Sequence, residues 1–110
     1  MEKFLIRVDG KPNFAFVGEF LGEATSSPCQ EIDGWWSGDI GRWQCLELYK
    51  TRAGNFVCST IHYTEHTGER TKYEGEVYKT VEEVLKFFGH DWLAKELYLN
   101  CKIDESIQVD

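Results

Sequence analysis

No stretch of this 110-residue chain approaches the roughly 20 consecutive apolar residues that a membrane-spanning helix requires. The first apolar run, Phe4-Leu5-Ile6-Arg7-Val8, is too short, and too interrupted by Arg7, for the core of a secretory signal. Basic residues are few: 12 Lys and Arg stand against 19 Asp and Glu, for a net charge of −7. Proteins that bind by neutralising phosphates carry a basic face, so direct contact with nucleic acid is not expected. There is no phosphate-cradling glycine loop, nucleophile elbow, H-E-x-x-H helix or EF-hand pattern. Internal repeats and low-complexity tracts are also missing. With 42% hydrophobic and 15% aromatic residues, the chain can nevertheless build a core. The expectation is one α+β domain over residues 1–110, cytoplasmic, with no membrane contact, no metal and no cofactor.

The acidity is unevenly placed. Residues 1–41 carry three bases against seven acids, and residues 81–110 again three against seven. Residues 42–80 carry six against five. An acidic mimic of nucleic acid, competing for a basic groove, would want rows of carboxylates at phosphate-like spacing, and none is visible. That reading stays a minor alternative to an ordinary solvated surface.

Phe4 to Val8 reads as a strand closed by the turn Asp9-Gly10-Lys11-Pro12-Asn13. Phe14 to Ala24 reads as a second strand. Strict alternation puts Phe14, Phe16 and Phe20 on one face, with Gly18 and Gly22 beside them as space for a neighbour or a bulge. Val17, Glu19, Leu21 and Glu23 then fall on the other. Thr25 to Arg42 is a long connector of the kind that often carries function. A meander follows: Trp43 to Lys50, a turn at Thr51-Arg52-Ala53-Gly54-Asn55, Phe56 to Thr64, a turn at Glu65 to Glu69, and Arg70 to Lys79. Leu46 and Leu48 oppose Trp43, Cys45, Glu47 and Tyr49 across the first of these strands. The turn alone leaves the pairing register open by one residue.

Thr80-Val81-Glu82-Glu83 is a capping box. It opens an amphipathic helix with Val81, Val84, Leu85, Phe87 and Phe88 in one stripe, ended by Gly89. Asp91 caps a second helix, Trp92 to Lys102. This one is apolar on two sides: Leu93, Ala94, Leu97, Tyr98 and Cys101 on one, Trp92, Leu99 and Ile103 nearly opposite. Both sides demand cover, from the sheet on one hand and from the first helix, the connector or another chain on the other. Ser106 to Val109 alternates weakly, as an edge strand would. The fold expected is α+β, an antiparallel sheet of four to five strands with two C-terminal helices packed on one face.

Four cysteines, Cys29, Cys45, Cys58 and Cys101, form no C-x-x-C and no zinc-finger spacing. Cys58 and His62, four apart on one strand, lie about 13 Å from each other and cannot share a metal. In a reducing compartment the cysteines are expected as free thiols. Cys29, in the connector, is the one expected to be exposed, and no spacing links it to His62, His66 or His90 as a catalytic base.

Two constellations remain. In one plausible register Glu47, His62 and Glu74 share a face beside Tyr49, a carboxylate–histidine group able to do acid–base work or hold a ligand. The other is Gly34-Trp35-Trp36-Ser37-Gly38-Asp39-Ile40-Gly41-Arg42-Trp43, three Trp within ten residues. Trp35, Trp36 and Trp43 either roof the core or mark a patch for a protein partner.

Gly41-Arg42-Trp43, Leu48-Tyr49-Lys50-Thr51, Gly54-Asn55-Phe56-Val57-Cys58, Gly68-Glu69-Arg70, Glu82-Glu83-Val84, Phe87-Phe88-Gly89 and Trp92-Leu93-Ala94-Lys95-Glu96-Leu97-Tyr98 together resemble a family of short bacterial proteins carried on mobile elements such as integron gene cassettes and plasmids. The resemblance covers somewhat over half the chain. It rests on structural motifs and implies no activity, substrate or cofactor.

The leading functional expectation is a non-enzymatic interaction module, most simply a homodimer. It would associate through Trp92, Leu99 and Ile103 or through an aromatic sheet face bearing Trp43, Tyr49 and Phe56, with Trp35 and Trp36 offered to a further protein partner. The alternative is a small-molecule-binding or enzymatic domain built on Glu47, Tyr49, His62 and Glu74.

Overall fold

The computed structural model describes residues 1–26, 30–32, 35–37, 42–65 and 67–106, with residues 30–32 and 35–37 described for their backbone only. Cys29, His66 and residues 107–109 of the tail strand lie outside the described residues.

The architecture is α+β, as expected. Five antiparallel strands form one sheet: β1 (Glu2–Ile6), β2 (Phe14–Thr25), β5 (Arg42–Thr51), β6 (Phe56–Thr64) and β7 (Lys72–Tyr78), ordered β1-β2-β5-β6-β7. Two C-terminal helices follow, α1 (Val81–Phe88) and α2 (Trp92–Cys101). The connector is not loop throughout: β3 (Gln30–Ile32) and β4 (Trp35–Ser37) pair as a two-stranded sheet.

Gly54, at φ 93°, turns the β5–β6 hairpin, and the register settles as Tyr49 opposite Val57 and Lys50 opposite Phe56. Paired residues share a face, so the helix-covered face carries Leu46, Leu48, Phe56, Cys58 and Tyr78. The opposite face carries Tyr49, Val57 and Val77. Phe56 therefore does not join Trp43 and Tyr49 as the sequence suggested; it packs with the helices.

Each face has its own core. On the helix side Leu48, Cys58, Val84, Ala94 and Leu97 are fully buried, closed by Leu93 and Tyr98. On the other side no helix is needed, because the sheet curls over itself. Asp9 N–H donates to the Tyr73 carbonyl and the Asp9 carboxylate accepts from Tyr73 N–H, both at 2.9 Å, bringing the chain beyond β1 against β7. Ile6, Val8, Tyr49 and Val57 fill the interior, with Phe4, Phe14 and Phe16 packed around them. Gly75 permits this closure: a Cβ there would stand 3.0 Å from Val8 Cγ2 and 3.2 Å from the Cys58 carbonyl.

Both helix starts follow the sequence. Thr80 Oγ1 accepts from Glu83 N–H at 3.3 Å, and its hydroxyl donates to the Glu83 carboxylate, so the capping box closes side chain to side chain. Asp91 Oδ1 accepts from Ala94 N–H at 2.8 Å. α1 ends at Gly89 with φ 78°, whereas α2 ends at Lys102, a non-glycine residue held at φ 58°. No helix among the described residues is long and apolar enough to cross a membrane.

Candidate functional site

Strand β2 is irregular where the site is built. Phe20 pairs with Tyr49, Gly22 with Leu48 and Glu23 with Glu47, so Leu21 and Gly22 together oppose one residue of β5. This bulge shifts the alternation by one. Glu23, which strict alternation sets opposite Phe20, turns instead onto the face of Phe20 and Tyr49, while Gly22 moves to the helix side. There a Cβ on Gly22 would stand 2.8 Å from Cys101 Sγ, so the missing side chain lets α2 lie close on β2.

The consequence is a cluster on the interior-curling face. Glu23, Cys45 and Glu47 each offer a ligand atom within 4.8 Å of the others, and the Tyr49 hydroxyl donates to Glu47 Oε2 at 3.1 Å. Cys45 is buried, Glu47 half-buried and Glu23 exposed. Two carboxylates directly across a strand pair repel unless one holds a proton or a cation sits between them. Desolvation raises the Glu47 pKa and the Glu23 charge adds to it, against the hydrogen bond from Tyr49. Burial likewise raises the Cys45 thiol, opposed by a hydrogen bond with Thr25 and reinforced by both glutamates. Burial and the Glu47 carboxylate push the Tyr49 phenol up as well. A divalent cation bound here by Glu23, Cys45 and Glu47 would have to displace a proton from the thiol.

His62 and Glu74 are elsewhere. His62 pairs with Gln44 and Lys72, and Glu74 with Thr60, all on the helix-side face. His62 Nε2 lies 3.4 Å from Glu74 Oε1 in a solvent-facing pair. The sheet thus separates Glu47 and Tyr49 from His62 and Glu74, because Glu47 pairs with Ser59, an odd number of positions from His62. The quartet does not converge. Near the β1 end of the curled face, Met1, Glu2, Phe4, Phe20 and Tyr49 border an open depression of about 560 Å³.

The aromatic candidates also part company. Trp43 stacks on its cross-strand partner Tyr63, ring centroids 5.2 Å apart at 17°. Trp35 and Trp36 lie in β4, paired with Ile32 and Glu31, and their side chains are outside the described part of the structure. Beyond α2, the left-handed Lys102 turns Ile103 back onto the helix-side core, so it does not join the outer face as expected. Trp92 and Leu99 stand on that face: they are 62% and 79% exposed, one helical heptad apart. Their helix otherwise buries Leu93, Ala94, Leu97 and Tyr98.

The turn of Glu23 toward Glu47 is what strict alternation in the sequence does not show. The available signal was Gly22, a glycine inside a strand pattern, which marks either a bulge or a close neighbour; here it marks both. No family model, curated protein or solved structure matches this chain.

Proposed function

We propose that this protein is a non-enzymatic, cytoplasmic interaction module that pairs with a second copy of itself through the outer face of α2. The observation that carries this reading is the exposure of Trp92 and Leu99 on a helix whose opposite face is fully engaged. Large apolar side chains contribute roughly 1.5–3 kcal/mol each when taken out of water, and Trp is the residue most enriched among those that dominate interfaces. Among the described residues the inner side of α2 is engaged by the helix-side core, which leaves Trp92 and Leu99 as spare hydrophobicity. Ile103, expected beside them, is not part of this exposed stripe: it follows the left-handed C-cap Lys102 and packs on the helix-side core. Two exposed anchors supply less than the ~800 Å² per partner of a standard stable interface, so a weak, concentration-dependent dimer is expected.

The acid–base reading is less well supported, since His62 faces away from Glu47 and Tyr49. The mimic reading needs rows of carboxylates that the strands do not supply. Trp35 and Trp36 would serve a further protein partner, and the resemblance to mobile-element proteins fits an accessory role for such a module. Static light scattering across a concentration series tests the proposal. The expected result is a mass rising from one chain toward two through the micromolar range; a single-chain mass at high micromolar concentration overturns it.

A further inference from the structure

We infer that the two copies pair with their α2 helices parallel, about a two-fold axis running along the helices. The inference rests on the self-association just proposed and assigns the geometry of that interface. At 100° per residue, Trp92 and Leu99 define the centre of the exposed stripe, Lys95 projects on one flank and Glu96 on the other. The side chains of both are exposed. Among the described residues Lys95 Nζ lies 3.8 Å from Oε1 of the half-buried Glu105, whose other oxygen is held by His90 Nδ1 at 2.7 Å, so this long contact holds the exposed Lys95 head only weakly.

The symmetry operator decides which charges meet. A two-fold axis parallel to the helices carries each flank onto the opposite flank of the partner. Lys95 then faces the partner's Glu96 at nearly the same height, and Glu96 faces the partner's Lys95. Trp92 meets Trp92 and Leu99 meets Leu99 across the axis. An axis perpendicular to the helices gives the antiparallel pair and carries each flank onto itself. Lys95 would then face Lys95, and Glu96 would face Glu96, two like-charge contacts flanking the apolar seam. Charges beside such a seam set partner orientation more than affinity. The surface is self-complementary in the parallel arrangement and self-repelling in the antiparallel one. The occupant it fits is therefore a second copy of this chain, and the orientation is parallel.

The test is a charge-reversal series read by sedimentation equilibrium at low salt, with circular dichroism melts confirming that each variant folds. Lys95→Glu replaces two attractive contacts by two repulsive ones and is expected to weaken the dimer by roughly ten-fold or more. Glu96→Lys is expected to do the same. The double variant Lys95→Glu/Glu96→Lys restores pairing to the wild-type level, because each reversed charge again meets its opposite. If the single variants dimerise as tightly as wild type, or the double variant fails to recover, the parallel assignment is wrong while self-association stands. A wild-type chain that stays monomeric removes the underlying reading instead.

Discussion

The two helices of this domain follow each other closely, yet they use their apolar residues differently. α1 is amphipathic in the ordinary sense: Val84 is fully buried, Val81, Leu85, Phe87 and Phe88 are partly covered, and Glu82, Glu83 and Lys86 face water. α2 buries a more complete face, with Leu93, Ala94, Leu97 and Tyr98 all inside, and still holds Trp92 and Leu99 in solvent. Their ends differ too. α1 stops at a glycine, which takes a positive φ without steric penalty, and α2 stops at Lys102, a non-glycine residue in the left-handed helical region. One helix is explained by the packing of its own domain. The other carries apolar surface that this packing leaves unused.

The sharpest way to test the contrast is to truncate leucines two positions apart on α2. Leu97→Ala empties a fully buried site and is expected to destabilise the fold by about 2–5 kcal/mol in a denaturant titration. Leu99→Ala, on the exposed side, is expected to leave monomer stability within about 0.5 kcal/mol of wild type. A large loss from Leu99→Ala would mean that its surface is already covered within the chain.

Gly22→Ala probes how closely α2 is held. Its methyl would press on Cys101 Sγ and on the Asn100 backbone, and overpacking of this sort destabilises by about 1–3 kcal/mol. Chemical denaturation is the readout, and an unchanged midpoint would mean that α2 shifts off β2 at no penalty. Lys102→Gly should act in the opposite direction. Relieving a left-handed non-glycine residue is expected to stabilise the domain by up to about 1 kcal/mol, seen as a raised thermal midpoint.

The smallest expected effect lies on the other face of the sheet. The Glu47 carboxyl is raised above its ordinary value of 4.5, chiefly by desolvation. A carboxyl that holds its proton more tightly when folded favours the folded state at acid pH. Its contribution is fully present below the ordinary value and is lost as pH rises through the raised one. Glu47→Gln is expected to flatten the fall in stability over that window, measured by urea titrations at successive pH values. An unaltered pH profile would remove Glu47 as its cause.

Much of the fold was legible because its signals were local. Thr80 and Asp91 as caps, Gly89 as a stop, and the alternation of Trp43 to Lys50 each name their structure within a few residues. The face assignments across strands were not, since they depend on register, and a turn of several residues allows more than one. Phe56 and His62 were therefore set beside Tyr49 and Glu47, and the observed pairing puts them on the reverse. The bulge at Leu21 and Gly22 is a tertiary event as much as a local one. It exists where α2 needs a strand without a side chain, and its by-product is to turn Glu23 toward Glu47. The sequence shows Trp92 and Leu99 only as a demand for cover; that both stand exposed among the described residues is a fact of the packed structure.

Leu99→Glu offers the most direct test of self-association, with mass and stability measured on the same samples. A glutamate at this exposed helical position leaves the monomer's core untouched and inserts a charge into the proposed seam. The account predicts a wild-type dimer, a monomeric Leu99→Glu variant at the same micromolar concentration, and matching unfolding transitions under dilute conditions where both are monomers. A Leu99→Glu variant that dimerises as wild type does would contradict it.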